Sequence, residues 1–200
     1  MPRARRGAST SSANNKMNLF FTSTVVLGTF LLAFLLIGLV VLVAHMTWSA
    51  FGRRSFGPYV PTPVGRIGEM LALAEVGRSS VVLEPGSGDG RVSLAAASLG
   101  ARVYGIEHDP ILVSFARVQA ARQGVSGRVH FIRGDLWKTR FPHDVNAVLV
   151  YGLPVSLERL WEKMRAELHP GTVIVSLDYQ FPGVDAEETH GRIRKYRLPK

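Results

Sequence analysis

Glu84-Pro85-Gly86-Ser87-Gly88-Asp89-Gly90 follows directly on the apolar run Ser80-Val81-Val82-Leu83, so three alternating glycines stand at the exit of a strand. Glycine has no Cβ and accepts positive φ; such a loop turns tightly, feeds a helix and lets a ligand lie against main chain. The dinucleotide fingerprint Gly-x-Gly-x-x-Gly needs glycine at position 91, where this chain has Arg91. The spacing present is acidic-x-Gly-x-Gly-x-Gly. Glu107 ends a second apolar run, in the position from which the carboxylate of a nucleotide-type site accepts ribose hydroxyls; a solvated strand-end acid is the alternative. Asp135, in Gly134-Asp135-Leu136-Trp137, stands at a third strand end. Glu84 either orders the turn or receives a ligand's amino group through water. Asp89 either meets the ligand or complements the dipole of the following helix. The six histidines show no ligand spacing such as His-Glu-x-x-His, so no metal site is expected. A hydrolase elbow is excluded, because Gly86-Ser87-Gly88 lacks the Gly-x-Ser-x-Gly spacing.

Carboxylates at successive strand ends require strands that alternate with helices, and the hydropathy pattern from Ser80 onward has that alternation, which predicts an α/β fold with a parallel sheet. Strands are expected at 80–84, 103–107, 129–132, 147–151 and 172–177, with a last one at 193–198 running antiparallel at the edge. Helices are expected from Arg91 to about Leu99, from Asp109-Pro110 to Gly124, and from a cap at Ser156 through Leu168. The second of these is read as burying Ile111, Leu112, Phe115, Val118 and Ala121; the third, Leu157, Leu160, Trp161, Met164 and Leu168. Upstream, three prolines in residues 53–63 mark a connector that cannot be helical. Thr62-Pro63 reads as an N-cap followed by proline at the first helical position. The helix it opens, 64–76, is expected to bury Ile67, Met70, Leu71 and Ala74 and to cover the ligand.

Two hundred residues without cysteine suit one medium-sized domain plus an appendage, with a core that needs no disulfide. The net charge of +9 is unevenly distributed, since all fifteen acidic residues lie at or after Glu69 and seven basic residues precede it. Five of the later basic residues sit in the tail as Arg192, Arg194, Lys195, Arg197 and Lys200. The body of the domain is therefore not basic, which argues against nucleic acid as a partner. Residues 17–52 contain no Asp, Glu, Lys or Arg, and 25–44 are almost wholly apolar, long enough as a helix for roughly 30 Å of bilayer core. A cleaved secretory signal is the alternative, although its apolar region usually runs only about 7 to 15 residues. Arg3, Arg5, Arg6 and Lys16 precede the span, Arg53 and Arg54 follow it, and Trp48 and Phe51 suit the interface beyond it. Residues 1–16 are Arg-rich, Ser-rich and acid-free, as mitochondrial targeting segments are.

The glycine loop resembles the first motif of class I S-adenosylmethionine-dependent methyltransferases, a Rossmann-like family with a doubly wound sheet. A structural glycine turn and a nicotinamide or flavin site are the alternatives. The resemblance implies S-adenosyl-L-methionine as cofactor and Glu84, Gly86, Ser87, Gly88, Asp89, Gly90, Glu107, His108, Asp135 and Leu136 as the residues that bind it, with Asp135 toward the adenine amino group. The reaction implied is in-line methyl transfer from a sulfonium, which gains from positioning by effective molarities of about 10⁵ to 10⁸ M. Tyr151-Gly152-Leu153-Pro154 closes strand four where many methyltransferases of amide nitrogens and nucleobases carry Asn or Asp followed by Pro-Pro and an aromatic. Its absence argues against glutamine, adenine or cytosine as acceptor.

Pro58-Tyr59-Val60-Pro61-Thr62, the glycine loop with Arg91, Gly134-Asp135-Leu136-Trp137, Tyr151-Gly152-Leu153-Pro154 and the apolar anchor together resemble the membrane-anchored mitochondrial lysine methyltransferases. That family acts on the adenine nucleotide translocase and the c subunit of ATP synthase. The likeness covers roughly residues 56–182 and departs at Pro85 and at His108-Asp109-Pro110. It implies protein-lysine N-methylation of a membrane protein at the mitochondrial inner membrane, with Tyr59 and Tyr151 either lining a lysine channel or packing. A methyltransferase of a lipid or other hydrophobic small molecule and a non-catalytic cofactor-binding module are the other readings. The organisation expected is a basic arm over 1–16, a single N-terminal transmembrane helix over 17–46, a connector with its helix over 47–78, and the cofactor-binding domain over 79–200.

Overall fold

The computed structural model describes residues 26–46, 57 and 59–199. The arm 1–16, the start of the expected span at 17–25, Trp48, Phe51, Arg53, Arg54 and Pro58 lie outside the described residues. The chain divides into two units, Met1–Trp48 and Ser49–Lys200. In the first, α1 (Val26–Met46) is a 21-residue helix of mean hydropathy 3.0, with none of its most apolar window buried, and is long and apolar enough to cross a membrane.

The second unit holds a seven-stranded sheet in the order β3-β2-β1-β4-β5-β7-β6. Its strands are β1 (Val81–Pro85), β2 (Arg102–Glu107), β3 (Val129–Arg133), β4 (Ala147–Val150), β5 (Val173–Leu177), β6 (Glu188–His190) and β7 (Ile193–Arg197). β1 to β5 run parallel, β7 pairs antiparallel with β5, and β6 pairs antiparallel with β7. Helices α2 (Val64–Leu73), α3 (Arg91–Ser98), α4 (Pro110–Arg122) and α5 (Pro154–Glu167) complete the unit. Alternate residues of the strands feed two cores, one on each face. Val82, Leu149 and Val175 join α2, α3 and α4 in one. Leu83, Val148 and Ile174 join α5 and the aromatic group Trp161, Phe181 and Tyr196 in the other.

Four sequence expectations change. β7 is not the edge: β6 lies outside it, a three-residue strand with every side chain exposed and so without an apolar pattern to betray it. On α4 the buried residues are Val113, Ala116 and Ala120, whereas Ile111, Phe115 and Val118 are half exposed or more. Close packing decides this, because a Cβ added at Gly90 would stand 2.9 Å from the Ala116 methyl, an approach that only small side chains permit. α5 begins at Pro154 rather than at a Ser156 cap, since proline's fixed φ suits the first helical position. α2 is capped at Pro63 without a side-chain bond and ends at Leu73, short of Gly77. Beyond it Glu75 turns to φ +54 and accepts from the buried Lys195 ammonium at 2.6 Å, which pins the end of the helix to β7. α2 packs into the core and not over the glycine loop; the connector ahead of it takes that place.

Candidate active site

The point at which strand order reverses lies between β1 and β4, where open α/β sheets bind ligands beyond the carboxyl ends of their strands. The glycine loop leaves β1 there. Amides of Gly86 and Ser87 both donate to the Ile106 carbonyl, at 2.8 and 3.0 Å, strapping the loop to the end of β2. Gly88 (φ +54) is crossed by the Tyr59 ring, whose Cε2 would stand 2.6 Å from an added Cβ. Gly90 (φ +81) turns its back to the ligand side, and a Cβ there would strike Phe131 and Ala116. Gly90 is thus the glycine of helix-to-sheet packing, and Gly86, Ser87 and Gly88 form the wall of the cleft.

Two buried carboxylates floor the cleft. Glu107 accepts from the Gly88 amide at 3.0 Å through Oε2, and from the His108 and Asp109 amides at 2.8 and 2.9 Å through Oε1. It therefore fixes the loop and the start of α4 together. Glu84 Oε2 accepts from both the amide and the hydroxyl of Ser93, at 2.9 and 2.5 Å, so it organises the first turn of α3. Burial pushes the Glu84 carboxyl up to about 8 against those two stabilising hydrogen bonds. Asp135 serves its own turn, where Oδ1 accepts from the Trp137 amide at 3.0 Å, and Gly134 and the buried Leu136 face the cleft beside it. Trp137 lies under the Arg159 guanidinium at 4.2 Å.

Arg91, which stands where a dinucleotide loop would have its third glycine, is the clasp of the connector. Its guanidinium is held by Asp89 at 2.6 to 3.0 Å and donates to the Thr62 carbonyl at 3.1 Å. Burial raises the Asp89 carboxyl, but hydrogen bonds and charge from Arg91 outweigh it and leave the group below its ordinary value. Tyr59, Val60, Pro61 and Thr62 are thereby laid across the loop, with Tyr59 against Gly88. Opposite, Tyr151, Leu153 and Tyr179 form the other wall, and Ile106, His108, Asp109 and Leu112 close the end. Both tyrosines flagged in the sequence reach the cleft. Burial first, and then the Asp89 carboxylate, raise the Tyr59 phenol; burial and Asp178 do the same for Tyr151. Tyr179, Leu112 and Asp109 were missed as lining residues. The Asp109-Pro110 pair signalled only the cap that it forms, with Oδ1 accepting from the Ile111 amide at 2.7 Å.

A parallel sheet in the order 3-2-1-4-5, closed by the antiparallel β7 and holding a glycine loop and a strand-end carboxylate at its switch point, is the class I methyltransferase fold. Within that class the chain belongs to the family of the ANTKMT methyltransferase domain, whose model matches residues 84–188. A lysine N-methyltransferase of the ATP synthase c subunit from Xenopus laevis is 34% identical over 130 residues, 65% of this chain and 57% of that relative. An adenine nucleotide translocase lysine N-methyltransferase from Mus musculus is 39% identical over 126 residues, 62% of this chain and 54% of the relative. The chain thus spans little more than half the length of these curated relatives. Among solved structures, an RNA methyltransferase from Salinibacter ruber in complex with S-adenosyl-L-homocysteine matches with a TM-score of 0.68 and 35% identity, covering 70% of this chain and 95% of that one.

Proposed function

We propose that the chain is a membrane-anchored, S-adenosyl-L-methionine-dependent protein-lysine N-methyltransferase whose acceptor is a membrane protein. The observation that carries the reading is the donor set of the cleft. Glu107 Oε1 is occupied by the amides of His108 and Asp109 and by the His108 ring 2.9 Å away, whereas Oε2 accepts only the Gly88 amide and so keeps one of the carboxylate's about four acceptor sites for a ribose hydroxyl. Ile106, Leu112 and Leu136 give an apolar wall suited to a base, and Glu84 lies below the loop for an amino group. These residues fit S-adenosyl-L-methionine, which when bound supplies an electrophilic methyl on a sulfonium. The Tyr59 strap shields the loop from water, which strengthens every polar contact beneath it. With their phenols raised, Tyr59 and Tyr151 stay protonated at neutral pH and act as donors and walls, not as bases. A lysine acceptor must shed a proton at a cost of about 4 kcal/mol at pH ~7.4, a cost that desolvation in the cleft lowers.

The names of the two lysine methyltransferase relatives support the acceptor class, and α1 supports anchoring in a lipid bilayer. The acid-free, Arg- and Ser-rich first sixteen residues favour the mitochondrial inner membrane as the site of action. RNA, the substrate for which the Salinibacter neighbour is named, fits less well, because the 12 basic residues between Glu69 and Gly191 are outnumbered there by the 15 acidic ones, and the other basic residues lie toward the two ends of the chain. Incubating the full chain with methyl-labelled cofactor and a membrane extract tests the reading: label is expected in protein, and label confined to lipid or RNA overturns it. Cofactor binding by calorimetry that Glu107→Gln weakens, with no label transferred to any acceptor, favours the non-catalytic cofactor-binding alternative.

A further inference from the structure

Most of the apolar stripe that sequence periodicity assigns to the buried face of α4 stands in solvent. Ile111, Phe115, Val118 and Arg122 recur at i, i+4, i+7 and i+11, one face of a helix; the first three are 66%, 49% and 50% exposed, while Val113, Ala116 and Ala120 pack inward. The helix is thus apolar on two faces. Val64 on α2 and Leu99 at the end of α3 continue the uncovered surface, at 76% and 49% exposed. Between the three helices lies a groove of about 1090 Å³ whose lining includes Val64, Ile67, Leu71, Leu94, Leu99 and Phe115. Contiguous apolar surface of this kind marks an interaction site, whereas apolar side chains exposed singly do not.

Charge narrows the partner. No Asp or Glu occurs between Asp109 and Asp135, whereas Arg117, Arg122, Arg128 and Arg133 are exposed in that stretch, and none of the four forms an ion pair with a described residue. Arg117 and Arg128 donate to carbonyls, of Phe131 at 2.7 Å and Gly100 at 3.0 Å, and so keep their full charge. An apolar stripe flanked by unneutralised arginines suits a bilayer with anionic headgroups, into which such a face sinks about 5 to 10 Å. Chain length agrees, because residues 47–63 alone join α1 to α2, a link of at most about 60 Å. The stripe also adjoins the cleft. Leu112, next to Ile111, lines the end of the cleft, and Asp89 and Arg91 border both cleft and groove.

We propose that the outer face of α4, with Val64 and Leu99, docks on an anionic bilayer surface and so holds the mouth of the cleft at headgroup level, where lysines flanking a membrane span lie. The inference rests on the membrane-anchored reading and gives the second unit a bilayer contact of its own. The full chain tests it, reconstituted without acceptor in vesicles of phosphatidylcholine and phosphatidylglycerol. Because the chain has no cysteine, Phe115→Cys and Val118→Cys each carry a single nitroxide label, as does Glu158→Cys, an exposed position on α5 across the sheet. All three positions are exposed, so each labelled variant is expected to melt with the parent. Labels at 115 and 118 are expected to be relaxed by oxygen and screened from a water-soluble nickel complex, at a depth of about 5 to 10 Å, and the label at 158 to show the reverse. Nickel access at 115 and 118 equal to that at 158 overturns the docking and leaves the anchor and the lysine reading standing. Labels screened from both relaxants and broadened by one another place a second copy on this face and overturn the docking too. Full chain that does not float with the vesicles overturns the anchoring and the docking together. Failure of the lysine reading alone leaves the measured depths unchanged, since no acceptor is present.

Discussion

The three glycines of the loop look alike in sequence and do different work, which mutation can separate. Gly88→Ala drives a Cβ into the Tyr59 ring at φ +54, so it is expected to weaken cofactor binding by calorimetry and to cost about 1 to 2 kcal/mol of stability for the left-handed backbone. Gly90→Ala combines φ +81 with contacts of 2.6 and 2.9 Å to Phe131 and Ala116 in the core, and is expected to cost roughly 2 to 5 kcal/mol in urea denaturation. Glu84 carries a pH signature. Its folded carboxyl titrates near 8, above the ordinary unfolded carboxylate value, so the stability it contributes is full at low pH and is lost as pH rises through about 8. Melting temperatures of the parent relative to Glu84→Gln are therefore expected to fall between about pH 5 and 8.5; a constant difference contradicts the assignment. Glu84, Glu107 and the glycine spacing were legible because strand-end position and residue type suffice to find them. Arg91 was not, because its role depends on a carbonyl 29 residues away, which leaves no spacing in the sequence.

At the scale of elements, α4 shows where periodicity fails. Ile111, Phe115 and Val118 form a larger apolar stripe than Val113, Ala116 and Ala120, yet the smaller residues are the buried ones, and at Ala116 the close approach of Gly90, whose added Cβ would stand 2.9 Å from the Ala116 methyl, accounts for it. Phe115→Ser is accordingly expected to cost under about 1 kcal/mol in chemical denaturation, and Ala116→Leu about 1 to 3 kcal/mol or more. The reverse ranking restores the face read from the sequence. The five parallel strands were readable from their apolar runs and the turn residues between them, whereas β6 has no buried side chain and owes its existence to pairing with β7 alone. The cover of the cleft was assigned to α2 because it is the amphipathic segment nearest the loop. Instead the Arg91 to Thr62 hydrogen bond draws the extended Tyr59-Val60-Pro61-Thr62 segment over Gly88 and leaves α2 to the core.

At the scale of the whole molecule, an apolar 21-residue helix and a catalytic fold occupy one chain as separate units, and the proposed function gives each a reason. Tethering replaces a search in solution with a high local concentration of acceptors held in the same bilayer. Residues 49–200 alone are expected to bind cofactor with the affinity of the full chain and to methylate membrane-embedded acceptor more slowly; equal rates contradict the tether. The central claim is that the cleft delivers methyl to the ε-amine of a membrane-protein lysine. The most direct measurement is mass spectrometry of membrane-protein peptides after reaction with the full chain and methyl-labelled cofactor, beside Glu107→Ala. Label on a lysine ε-amine of an integral membrane protein, lost in the variant, is the expected result; label on any other atom, or label that persists in Glu107→Ala, contradicts it.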